Sequence, residues 1–245
     1  MTTRLVLCGS GEFTPAMDAI DRDLLADLGP HPRVAIVPTA AGLEETPKMW
    51  AQMGSDHFRA LGAEPVPVMV TTRADAEDAR FCDLIAGAGW IYFSGGNPGY
   101  LVETVTGTPF WTAVHARFRA GAILAGSSAG AMMLGATTFV PRKRGPDGIP
   151  TEVTTRAAMG ILPGVIVAPH FDILPAALRT VWSRVVPAET RLIGIDEDTA
   201  LIARDATWTV RGRGRVHVFG DGEPVTVASG ATLDGLLPAP LAYTQ

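Results

Sequence analysis

A chain of 245 residues is long enough to bury roughly 70 % of its unfolded surface, so a sizeable core is expected. With 47 % hydrophobic and only 18 % charged residues, intrinsic disorder is excluded. The net charge of -5 leaves no general basic surface for phosphates, so nucleic acid is not an expected partner, whereas small molecules and peptides are.

In chain order, the short runs RLVLC, RVAIV, EPVPVMV, WIYF and AILA read as strands, and amphipathic stretches fill the gaps between them. Between the first two, Met17, Ile20, Leu24, Leu25 and Leu28 recur at helical spacing, with Pro15 before them and Gly29 after. Strands apolar on both faces, alternating with helices, predict an α/β fold with a mainly parallel sheet covered on each side. Residues 121–141 carry no charge and approach bilayer length, but four glycines and Ser127, Ser128, Thr137 and Thr138 interrupt them. A buried strand, a tight turn and a helix account for that stretch, and no membrane partner is expected.

Past Val140 the run RKRGPDGIPTE reads as a polar loop, followed by a buried strand at VIVAP and a helix over residues 174–186. IGID, TALIAR, TWTVRG and RVHVF are short and separated by turn formers, which suits antiparallel strands near the C-terminus. No repeat or linker divides the chain, so one domain over residues 1–245 is expected. Cys8 and Cys82 have neither CxxC nor Cys/His spacing, so no metal site is expected, and a reducing cytoplasmic location fits. The apolar run near the N-terminus is too short for a secretory signal.

The chemistry concentrates in Gly126-Ser127-Ser128-Ala129-Gly130, a G-x-S-x-G between the strand AILA and the helix-compatible AMML. A serine at such a strand-to-helix turn is lifted above the sheet edge, which makes Ser128 the candidate nucleophile. A serine needs a base, and among the five histidines only His170 ends a buried core strand, one expected to deliver it to the same C-terminal sheet edge that carries the elbow. His31 lies between prolines, His57 and His115 fall in helical stretches, and His217 lies in a late strand. For the carboxylate that would orient the imidazole, Asp172 is favoured over Asp147 and Glu152, because two positions along an extended chain bring side chains to one side. Asp172 could equally cap the next helix.

The turn Phe93-Ser94-Gly95-Gly96-Asn97 also ends a strand. Its Gly96 N–H, together with that of Ala129, is the expected oxyanion hole, with Asn97 as a substrate contact. Gly9-Ser10-Gly11-Glu12-Phe13-Thr14 fails the dinucleotide fingerprint at Thr14 and reads as a pocket wall, so no cofactor is expected. The basic run Arg142-Lys143-Arg144 is either a solvated loop or a contact for a substrate carboxylate.

Taken together, GSGEFT, VAIVPTA, YFSGGNPGYL, GSSAGAMML, LPGVIVAPHFD and IGIDEDTALI resemble the serine peptidase family that includes aspartyl dipeptidase (dipeptidase E) and cyanophycinase. The resemblance implies a class I glutamine amidotransferase-like fold and metal-free hydrolysis of a peptide or isopeptide bond. It also implies Ser128 as nucleophile, His170 as base, and the GGN turn with Ala129 as oxyanion site. The position where dipeptidase E carries its acid falls on Lys143 here, whereas His170-Phe171-Asp172 resembles the His-x-Glu pair of glutamine amidotransferases and keeps Asp172 first. Asp196 and Glu197 match a segment of the family as pocket support, with no chemical step assigned to them. The alternative reading is a non-catalytic ligand-binding domain of the same fold. A homo-oligomer is left open.

Overall fold

A computed structural model of the chain describes residues 3–144, 146, 150–175, 186, 189–220, 222–233 and 235–240. Apolar side chains on both faces make strands of β1 (Arg4–Cys8) and β2 (Arg33–Val37), of β4 (Trp90–Phe93) and of β5 (Ile123–Ser127), buried everywhere except at the first residue of β1 and of β2. Alternate residues serve alternate faces. Leu5, Leu7, Val37, Phe93 and Leu124 pack against Leu101, Phe110, Val114 and Phe118 of α5 (Pro98–Val105) and α6 (Pro109–Arg119). Val6, Val34, Ile36, Tyr92 and Ala125 meet Ile20 and Leu24 of α1 (Asp18–Ala26) and Phe58 of α2 (Pro47–Ala60) on the other side. Helix starts are chemically marked: Asn97 and Thr108 accept the Tyr100 and Trp111 N–H groups, and each is followed by proline. Two short helices, α3 (Arg73–Glu77) and α4 (Ala79–Ala86), lead into β4.

The main sheet has seven strands in the order β11-β10-β1-β5-β4-β2-β3. The run EPVPVMV pairs only over β3 (Glu64–Pro67), at the sheet edge, where Pro65 and Pro67 cost no ladder bond that a neighbour needs. β1 to β5 run parallel, and β10 (Thr199–Arg204) and β11 (Thr207–Gly212) add antiparallel strands beyond β1. The expected mainly parallel α/β architecture, with antiparallel strands from the C-terminal third, is the one observed.

Two local expectations are corrected. The run read as a polar loop is largely a hairpin of β6 (Thr137–Arg144) and β7 (Pro150–Ala157), which follows a short α7 (Ala129–Met132). Its charges escaped recognition as strand because they lie at the surface, as in the 2.9 Å Lys143–Glu152 ion pair, while Phe139 turns into the core. The strand at VIVAP, β8 (Val165–Ala168), does not share the sheet of β5. It pairs in parallel with β9 (Arg191–Ile195) in a second sheet, ordered β13-β12-β9-β8, with β12 (Arg215–Phe219) and β13 (Val225–Ala228). A buried apolar run records burial and not the identity of its neighbour. The two sheets nevertheless share one apolar cluster through Leu124, Leu201, Val165, Val167, Ile193 and Val216. The helix expected over residues 174–186 falls mostly outside the described residues. Among the described residues no helix is long and apolar enough to cross a membrane.

At the end of β1, burial and then the nearby Asp21 push the Cys8 thiol well above its ordinary pKa, and the Tyr92 hydroxyl lies 3.6 Å from its sulfur. A thiolate at neutral pH is therefore unavailable there. Thiol titration of the native protein at pH 8 should modify Cys82 alone, with Cys8 reacting only after denaturation; rapid native labelling of Cys8 would contradict this packing.

Candidate active site

Strands β1, β4 and β5 point their C-terminal ends to the same edge, so the segments that follow them meet there. Ser128 leaves β5 with φ 51° and ψ -114°, a left-handed backbone that a serine adopts only under tertiary constraint. Two glycines make this turn sterically feasible. A Cβ on Gly126 would run into the Gly130 carbonyl, and one on Gly130 into the Phe93 carbonyl, so α7 sits directly on β5 and β4. The Ser128 N–H donates to the Cys8 carbonyl at 3.1 Å, tying the elbow to the neighbouring strand.

β8 delivers His170 to this elbow from the second sheet. Its Nε2 lies 2.9 Å from Ser128 Oγ. The partner of the other ring nitrogen is Glu197, whose Oε1 is 2.8 Å from Nδ1, and not Asp172. The register explains the difference. Because Ala168 pairs with Gly194, the residues past the ends of β8 and β9 lie side by side, and the Phe171 N–H donates to the Ile195 carbonyl at 3.0 Å. His170 itself is left-handed, with φ 54°, so the extended geometry that would have aligned it with Asp172 is absent. Asp172 instead accepts the Glu197 N–H on Oδ1 at 2.9 Å, holding the backbone of the residue that holds the histidine. Glu152 is committed to Lys143 on the hairpin, and Asp147 lies outside the described residues. A strand-ending acid in IGIDED was the available sequence signal for Glu197; what it lacked was the β8–β9 pairing.

Next to Glu197, Asp196 is 7 % exposed. It accepts the Arg215 N–H at 2.9 Å and lies 3.0 Å from His217 Nε2, and the His217 ring packs on Phe171 with centroids 4.9 Å apart. These contacts fasten β9 to β12 directly behind His170. The serine and histidine are half-buried, and the His170 and Glu197 side chains are 35 % and 39 % exposed, so the row of three groups borders solvent on one side.

Across the serine lies the Gly95-Gly96 turn. A Cβ on Gly95 would fall 3.7 Å from Ser128 Oγ, and Gly96 has φ 139°, a conformation that favours glycine. Ala129 opens α7, so its N–H has no acceptor within the helix. The Asn97 side chain is occupied as the cap of α5, with Oδ1 accepting the Tyr100 N–H at 3.0 Å. Arg142 and Lys143 are exposed on the hairpin. Among the described residues no three His, Cys, Asp or Glu side chains are grouped to hold a metal ion. A hydroxyl, an imidazole and a carboxylate joined in a row form the arrangement that activates an alcohol toward a carbonyl carbon.

A profile of the family described as Peptidase family S51 matches residues 5–211. The cyanophycinase of Synechococcus elongatus is 30 % identical over 190 residues, which cover 76 % of this chain and 58 % of that enzyme. The chain thus spans less than two thirds of the length of that relative. A crystal structure of a peptidase from an acI-B1 Actinobacterium superposes with a TM-score of 0.83 at 32 % identity, covering 96 % of this chain and 97 % of the other. A putative peptidase E protein from Listeria monocytogenes EGD-e shares the fold, with a TM-score of 0.64 at 15 % identity over 87 % of this chain and all of the other.

The closeness of α7 to β4 and β5 is testable without a substrate. Gly130→Ala forces a methyl group against a backbone carbonyl and should lower stability by about 3 kcal/mol in urea denaturation, the upper range for overpacking. A loss under about 0.5 kcal/mol would mean that the elbow helix sits farther from the sheet.

Proposed function

Because the chain belongs to peptidase family S51, we propose that it hydrolyses a peptide or isopeptide bond through an acyl-enzyme on Ser128. The observation that carries this reading is the unbroken row from Ser128 Oγ through His170, with contacts of 2.9 and 2.8 Å, to Glu197. In the reaction, His170 Nε2 takes the hydroxyl proton as Oγ attacks the substrate carbonyl, and Glu197 stabilises the imidazolium through Nδ1–H. The tetrahedral oxyanion is received by the N–H groups of Gly96 and Ala129, each worth about 3 kcal/mol in the transition state. His170 then protonates the leaving amine. Water, deprotonated by the same histidine, releases the acid and restores the serine.

The third member of this triad is Glu197, and Asp172 supports it through the Glu197 N–H. The partly open row of side chains suits a small peptide or isopeptide, and similarity to cyanophycinases favours substrates with aspartyl linkages. A screen of dipeptides alongside β-aspartyl-arginine polymers selects among these.

A serine-directed fluorophosphonate should label the native protein, and Ser128→Ala should abolish both labelling and hydrolysis. Glu197→Gln should lower kcat by roughly 10²- to 10⁴-fold, the range for losing the group that orients a catalytic histidine. Asp172→Asn should cost no more than about tenfold, since its amide oxygen still accepts the Glu197 N–H. Folded wild-type protein that resists the label would favour a non-catalytic binding domain, and a larger loss for Asp172→Asn than for Glu197→Gln would return the acid role to Asp172.

A further inference from the structure

The segment following β1 contains a buried acid that the reaction above does not use. Glu12 is 6 % exposed, and among the described residues no cation pairs with it. Burying a carboxylate without a counter-charge is costly unless hydrogen bonds replace its water. Here two do. Oε1 accepts the Gly95 N–H at 3.0 Å, and Oε2 accepts the hydroxyl of the fully buried Ser127 at 2.5 Å. Gly95 immediately precedes Gly96, and Ser127 immediately precedes Ser128. A single planar carboxylate therefore spans from the turn carrying one proposed oxyanion donor to the strand end carrying the proposed nucleophile.

We propose that Glu12 is a positioning residue for the reaction proposed above, setting the distance between the Gly96 N–H and Ser128 by clamping both segments. The Gly96 turn is pinned on both sides, by Glu12 at the Gly95 N–H and by the Ala40 carbonyl, which accepts the Asn97 N–H at 2.7 Å. Glu12 itself is anchored. Phe13 sits in a left-handed conformation, φ 63°, that drives its ring into the core against Tyr92 and Phe58, and the Gly9 N–H donates to the Thr199 carbonyl at 2.9 Å. Both bonds are enclosed, so they hold geometry more firmly than the same contacts would at the surface. Without them the Gly95 N–H and the Ser127 hydroxyl are buried donors lacking an acceptor, and the turn is free to move away from the serine.

The test is the second-order rate of fluorophosphonate labelling at Ser128, whose phosphonyl oxygen occupies the same position as the oxyanion, measured across pH for wild type, Glu12→Ala and Glu12→Gln. Glu12→Ala should slow labelling by about 10- to 100-fold at every pH, the scale of an ångström-level misplacement, with the pH midpoint unchanged. Glu12→Gln should recover to within about threefold of wild type, because its amide oxygen keeps the Gly95 bond and its NH2 can donate to the Ser127 hydroxyl. Wild-type labelling rates in Glu12→Ala would overturn the proposal. So would a Glu12→Gln variant as slow as Glu12→Ala, or a moved midpoint, since either would assign the effect to charge rather than position. If Glu12→Ala does not fold, Ser127→Ala removes one of the two bonds in its place; slower labelling supports the clamp and an unchanged rate overturns it. Wild-type protein that fails to label removes the serine hydrolase reading itself, a result distinct from labelled wild type with indifferent variants.

Discussion

One constraint organises the site: the chain must reverse from β5 into α7 within a single residue, Ser128, without leaving the sheet edge. The left-handed backbone this requires costs on the order of 1–3 kcal/mol and survives because its surroundings leave no alternative. Gly126 and Gly130 let the helix press onto two strands, and the Cys8 carbonyl takes the Ser128 N–H. Phe13, His170 and Asp198 also have positive φ, between 52° and 63°, in segments that close around the serine; His31, Glu189 and Asp205 have positive φ as well.

The row Ser128–His170–Glu197 draws on two sheets. The serine comes from the seven-stranded sheet, and the histidine and glutamate come from neighbouring parallel strands of the four-stranded one. Their relative position therefore depends on the apolar cluster that joins the sheets, where Leu124 and Leu201 meet Val165, Ile193 and Val216. Asp172 and Asp196 stabilise the second sheet's contribution, one by gripping the Glu197 backbone and the other by bonding to His217 and the Arg215 N–H. Substitutions in that cluster should alter the alignment of Ser128 and His170 without touching either.

Much of this was legible in the residues and some was not, for definite physical reasons. β1, β2, β4 and β5 are recognisable because burial on both faces leaves continuous apolar runs, and Ser128 and His170 stand out because each ends such a run. Glu197 ends one too, but its partnership depends on the β8–β9 register, a contact between residues 27 positions apart that no local pattern records. Asp172 looked nearer to His170 along the chain, yet the positive φ of the histidine turns the intervening backbone away from an extended path. The β6–β7 hairpin was hidden by its own exposure, since charged side chains on a surface ladder resemble a loop. Glu12 was hidden for a different reason: its partners, the Gly95 N–H and the Ser127 hydroxyl, lie 83 and 115 positions away along the chain, and no local pattern records such contacts.

The most direct measurement is a crystal structure of the protein after reaction with the fluorophosphonate. The account predicts phosphorus bonded to Ser128 Oγ, with one phosphonyl oxygen about 3 Å from both the Gly96 and Ala129 nitrogens, and His170 still bridging to Glu197. An adduct on another residue, or a phosphonyl oxygen turned toward solvent with those two N–H groups uninvolved, would contradict it.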